Sequence, residues 1–405
     1  MGDGGSRKGS VETSSNRFIP ALEGVRGYAF IVVFLVHYQG PGAKPDHLWL
    51  YPWFLLLNAG WLVVPLFFAL SGYLITQILY NSKGRTGYFK VFYGRRALRV
   101  FPLYYLTTLV CFAIVAYKHW RWNWHYLGYF AYLQNLTRHQ NFFALGNHID
   151  TTHFWSLAVE EHFYLVWPVV IWLCSGRKQL LRCCYGVLIG CFAVRVAWPL
   201  FESFGYAPQL AYVSTFTRVD GIICGAIVAL ATREHGISEW LKRASIVTVC
   251  VGIAILFYQG VTFGHSKPED YVGIVWMTPL ANVIATALLV LLLREETWLS
   301  RVSSKKWICK LGSMSYGLYL FHYLYRGYFM NTLVAELTPA CGAFLASLLS
   351  MALAFAITWV LAFVAFHLIE LPGQKAKRYL NYGPRTSAAP ASPAETGEEL
   401  VNVYS

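Results

Sequence analysis

Ten apolar runs of nearly membrane-crossing length punctuate this chain, at about 20–39, 60–80, 101–118, 154–174, 181–199, 211–231, 243–259, 272–293, 307–328 and 341–367. A bilayer core takes about 20 helical residues to cross, and it offers no water to the backbone, so each run must close its hydrogen bonds internally as a helix. With 56% of residues hydrophobic and only 13% charged, the composition lies far from that of a soluble domain. The expected fold is all-α: a polytopic membrane helical bundle of about ten transmembrane helices.

Basic residues test that count, because lysine and arginine collect in cytoplasmic loops. Placing the N-terminus in the cytoplasm puts 24 of the 33 basic residues there and 6 in outer loops, while Arg26, Arg195 and Arg218 fall within spans. Both termini are therefore expected to be cytoplasmic. The net charge of +13 is accounted for by topology and calls for no nucleic-acid partner. The first run is broken by Glu23 and Arg26 and has no small-residue cleavage site behind it, so it reads as an uncleaved span. Residues 1–16 and 381–405 are Gly/Ser-rich or Ser/Ala/Pro/Glu-rich and read as disordered cytoplasmic tails flanking one membrane domain at 17–380. The nine cysteines lack metal-type spacing and read as packing residues.

Ionisable groups inside spans usually mark a pathway or a reaction centre. In the first span Arg26 and His37 are eleven residues apart, which is ~1100° of helix, within ~20° of three turns, and ~16 Å of rise. Both side chains face one direction. Before the third span stand Arg95, Arg96 and Arg99, whose guanidinium forks match phosphate geometry; the blander reading is a positive-inside cluster on lipid headgroups. In the fourth span His153, Ser156 and Glu160 share a face, and Glu160 and Glu161 need partners, such as Arg26 or Arg218. Arg218 and Asp220 are two apart on the sixth span and must each pair with another helix. Gly221 and Gly225 suit close helix packing. Ser71 and Gly72 read as a packing notch, and His322 lies in the outer half of the ninth span. The outer loop 119–153 holds five histidines with Trp120, Trp122 and Trp124, readable as an interfacial belt with a short helix near 124–136 or as a platform for sugar rings. His148, Asp150 and His153 lack a third strong ligand, so no metal is expected.

Taken in order, Arg26 with His37, FFALSGYLI, Arg95 with Arg96 and Arg99, WSLAVEEHFYLVWP, RVDGIICG, SYGLYLFH and the Glu370–Pro372 end resemble the acyltransferase-3 family of integral membrane acyltransferases. His162 and Gly317 depart from its usual residues. The resemblance implies transfer of an acyl group, commonly acetyl, from cytoplasmic acyl-CoA to a hydroxyl outside, by a stand-alone enzyme similar to exopolysaccharide or O-antigen O-acetyltransferases in a bacterial inner membrane. On that basis His37 is the expected base, since histidine is suited to taking a hydroxyl proton, with Arg26 and Glu160 beside it. Arg95, Arg96, Arg99 and Arg26 would hold acetyl-CoA, and His153, Ser156, Trp120, Trp122, Trp124 and His322 would meet the glycan. The competing class is a proton-coupled transporter or channel built on the same buried Arg, Glu and His groups.

Overall fold

The computed structural model describes residues 19–38, 60–118, 124–136, 144–145, 149–203, 208–263 and 271–385. Its main helices are α1 (Pro20–Tyr38), α2 (Val63–Ser82), α3 (Tyr88–Tyr117), α4 (Phe154–Leu173), α5 (Arg177–Val196), α6 (Thr215–Ala231), α7 (Glu239–Phe263), α8 (Thr278–Leu292), α9 (Lys306–Ser313), α10 (Ser315–Phe321) and α11 (Ala343–Ala365). Among the described residues, the β structure consists of a two-stranded hairpin, Ala144–Leu145 with Ile149–Asp150, and an isolated bridge between Arg85 and Arg385.

Among the described residues, eight helices are long and apolar enough to cross a membrane, and they coincide with eight of the ten expected runs. The sixth run forms the 17-residue α6. The ninth is not one continuous span: it breaks at Met314 into α9 and α10 and again after Phe321. Breaks at membrane depth are tolerated where protein encloses them, and here Met314 and His322 are both buried. The outer faces of α3, α7 and α11 expose leucines, valines and isoleucines such as Leu109, Val251 and Val360, as lipid-facing helices must. The protein is an integral membrane α-helical bundle.

The helices that enclose the interior are tied together by short contacts. At Gly225 a Cβ would stand 1.9 Å from the Ala69 carbonyl, and at Gly72 one would stand 1.8 Å from that of Ile222. The absence of side chains at these positions lets α2 and α6 touch backbone to backbone. Asp220 of α6 pairs with Arg195 of α5, which also donates through Nε to Thr217 O at 2.9 Å. Arg218 turns the other way, donating to Thr278 Oγ1 of the α8 start at 3.1 Å and lying over the Trp155 and Tyr212 rings. Each thus finds its partner on another helix, and Arg218 is not the partner of Glu160.

Part of the outer loop packs inward. Trp124–Ala131 and Leu133–Asn135 form 3-10 turns within the expected 124–136 stretch. Gln134 donates to Phe154 O at 3.1 Å and Asn135 to Val213 O at 3.1 Å. Tyr129 shares a hydrogen bond of 2.6 Å with Thr151. Residues 381–385, expected in the tail, run back beside the α2–α3 turn, where Thr86 N donates to Pro384 O and Gly383 N to Thr86 O, each at 3.0 Å.

Candidate active site

A cavity of about 350 Å³ lies within the bundle. It touches α2 from Val64 to Ile78, and fourteen helical residues rise ~21 Å, so it is a channel-like slot along the helix axis. One end carries Glu23, Arg26, Arg99, Gln374 and Lys377. Ser71, Arg96, Glu160, Glu161 and Tyr164 line the middle, and Val64, Phe67, Ser156 and Tyr319 the other end.

Charge is concentrated at the first end and in the middle. Arg26 stands 3.8 Å from Glu23. Arg99 has Arg26, Arg96, Glu23 and Glu370 as charged neighbours. Arg96 lies with its guanidinium carbon 3.7 Å above the Tyr164 ring, leaves its buried Nε without a partner, and has Glu160 and Glu161 within electrostatic reach. Glu160 lies against the Tyr164 and Ser71 hydroxyls and faces Arg96 and Arg26. Its arginine partners are therefore two cavity residues. Gly72 forms the notch expected of the Ser71–Gly72 pair, while Ser71 hydrogen-bonds Tyr164 at the cavity wall.

Beyond the second end lie three histidines. His37 Nδ1 is 2.9 Å from His322 Nε2, and His322 Nδ1 is 2.6 Å from the Tyr319 carbonyl. A carbonyl can only accept, so Nδ1 of His322 carries the proton and its Nε2 offers a lone pair. His37 must then donate from Nδ1, and its own Nε2 is left as an acceptor. Tyr38 OH donates to His322 O at 2.7 Å, and Arg326 donates to His37 O. His153 packs its ring centroid 5.0 Å from that of His322 and bonds through Nε2 to Leu320 O at 3.1 Å. Its buried Nδ1 has no partner.

Tyr319 joins the two regions. Its hydroxyl lies 2.7 Å from Ser156 Oγ at the cavity wall and donates to His153 O at 3.2 Å, while its carbonyl holds His322. Ser156 and Glu160 do share the cavity face of α4, whereas His153, at the helix start, is drawn to the histidine cluster. His322, expected to meet the glycan, lies fully buried against His37.

Two further placements differ from the sequence reading. Arg95 is turned out of the cavity: Nε donates to Leu380 O at 2.6 Å and a terminal nitrogen to Asn381 at 3.1 Å. It sits one turn, ~6 Å, nearer the helix start than Arg99, where the C-terminal segment crosses. Lys377, which no motif in the sequence singles out, is 3% exposed and lines the cavity. Of the outer-loop tryptophans, Trp124 is largely exposed, and Trp120 and Trp122 lie outside the described residues, as do His119, His139 and His148. Asp150 is occupied in a turn, accepting from Thr152 N at 2.9 Å.

The fold and slot are those of an integral membrane protein with ionisable side chains lining a cavity among its helices. The acyltransferase-3 family profile, described as an acyltransferase domain, matches residues 19–363, and the chain belongs to this family. Peptidoglycan O-acetyltransferase OatA of Listeria monocytogenes is 26% identical over 388 residues, covering 91% of this chain and 57% of that protein. The putative peptidoglycan O-acetyltransferase YrhL of Bacillus subtilis is 26% identical over 392 residues, covering 89% and 56%. O-acetyltransferase OatA of Staphylococcus aureus is 25% identical over 334 residues, covering 76% and 51%. The chain thus spans little more than half the length of these relatives. No solved structure matches it significantly.

Proposed function

We propose that this protein is an O-acyltransferase that moves an acetyl group from acyl-CoA, entering at the Arg26–Arg99 end, to a hydroxyl of a cell-envelope glycan arriving at the His37 end. The observation that carries this reading is one slot with arginines at one end and, beyond its other end and across Tyr319, a histidine pair. Its membership of the acyltransferase-3 family supports the reaction class, and the peptidoglycan activity named for its relatives supports a glycan acceptor. The distribution of basic loops supports a cytoplasmic origin for the donor across a bacterial inner membrane.

In this reading the donor's phosphates lie against Arg99 and Arg26, and its extended arm follows α2 toward Ser156 and Tyr319. His37 Nε2 takes the proton of the acceptor hydroxyl as the oxygen attacks the thioester carbonyl. The imidazolium formed is stabilised through Nδ1–H donation to His322, as a buried acceptor stabilises the catalytic histidine of a triad. Collapse of the tetrahedral intermediate breaks the C–S bond, and His37 returns the proton to the leaving thiolate, so that acetyl-CoA and alcohol become ester and free CoA. Arg26, ~16 Å along α1 from His37, guides the donor rather than touching the carbonyl. Glu160 holds Arg96 and Arg26 in place. Purified protein in nanodiscs, supplied with radiolabelled acetyl-CoA and isolated cell-envelope glycan, tests the reading; label reaching the glycan as a base-labile ester supports it, and none overturns it.

A further inference from the structure

We propose that Lys377 binds the terminal phosphate monoester of the donor, and that the C-terminal segment 371–385 is a strap positioning it there; this rests on the acyl-CoA reading above. Lys377 is 3% exposed and lines the slot beside Arg99. Among the described residues no carboxylate or hydrogen-bond acceptor pairs with its ammonium. Its charged neighbours are instead Arg99, Arg96 and Arg95. A buried cation among like charges is costly unless an anion joins them, and Lys377, Arg99 and Arg26 at one slot end, with Arg96 next along it, suit a dianion. Lys377 lies at the end of the slot farthest from His37. The part of the ligand bound there is therefore the part farthest from the reacting carbonyl, which in acyl-CoA is the phosphorylated nucleotide.

The strap is built to hold the lysine in place. The short helix Leu371–Ala376 and the turn Lys377–Tyr379 follow α11. At Gly373 a Cβ would come within 2.4 Å of the Leu98 carbonyl, so glycine lets the strap lie directly on α3. Arg95 clamps Leu380 and Asn381, and the pairing of Thr86 with Gly383 and Pro384 fixes the far end. Arg95 is thus a positioning residue, acting on the donor through Lys377.

Calorimetry in phosphatidylcholine nanodiscs with CoA and 3′-dephospho-CoA tests this. Wild-type protein should bind CoA about tenfold tighter or more, the size of one charge-assisted contact. K377M should lose most of that preference, K377R should keep it, and R95A should lose it without touching the slot. A wild-type protein binding both probes equally overturns the proposal with no variant needed, as does K377M retaining the preference. A wild-type protein binding neither probe overturns the donor reading itself. Phosphatidylglycerol added to the discs should not displace CoA; displacement in wild type but not in K377M would assign the lysine to a lipid headgroup and overturn the donor assignment.

Discussion

His37 Nδ1 and His322 Nε2 lie 2.9 Å apart across 285 residues of sequence, and the Tyr319 carbonyl on the far side of His322 decides which nitrogen of His37 is free. His322 should therefore matter for turnover more than for binding. His322→Phe removes the acceptor that holds the His37 tautomer, and we expect kcat to fall by about 10- to 100-fold, the usual cost of losing a partner that orients a functional histidine. His322→Gln keeps an acceptor and should recover part of the rate. Equal rates for Phe, Gln and wild type would remove the pair from the mechanism.

Arg99 is the cation common to the slot, Arg26 and the strap. Arg99→Ala should weaken CoA binding by about tenfold or more, since a charge-assisted contact is worth about 1.5–3 kcal/mol. Calorimetry returning an unchanged affinity would leave the arginine with only a topological role.

Glu160 balances Arg96 and Arg26 and lies against the Ser71 and Tyr164 hydroxyls. Removing one partner of a buried charged set costs about 3–5 kcal/mol, so Glu160→Gln should lower the melting temperature and activity together. Unchanged melting with lost turnover would instead make it a catalytic group, and no change in either would separate it from the site.

The Arg195–Asp220 pair, 1% and 6% exposed at the side chains, joins α5 to α6 away from the slot. Asp220→Ala should destabilise the protein by about 3–5 kcal/mol, while replacing both residues by leucine or methionine should be far milder. A double variant as unstable as the single one would contradict this.

Much of this architecture could be read in the sequence because bilayer crossing imposes length and apolarity locally: among the described residues eight apolar runs became helices of membrane-crossing length where expected, and Arg26 and His37 both lie on α1. What could not be read depends on neighbours. Periodicity puts Arg95 near the face of Arg99, but only the returning strap takes it out of the slot. The break at Met314 and the turn after Phe321 are tertiary solutions in an apolar run, and they bring His322 to His37. Lys377 sits in a run of cations that resembles any cytoplasmic tail, and its burial comes from the strap folding back on α3.

On the acceptor side, alanine at Trp120, Trp122 or Trp124 should raise the KM for glycan and leave CoA affinity intact, if a sugar stacks there. A loop whose tryptophans can all be replaced without kinetic effect serves as a membrane belt.

Following label from acetyl-CoA to isolated glycan with purified wild-type and His37→Ala protein of matched folding shows whether His37 is the base of an acyl transfer. Wild type should transfer the label, and the variant should fall by about 10²-fold or more, the scale of general-base catalysis. Transfer by His37→Ala within about threefold of wild type, a loss too small for a transition-state role, would contradict it.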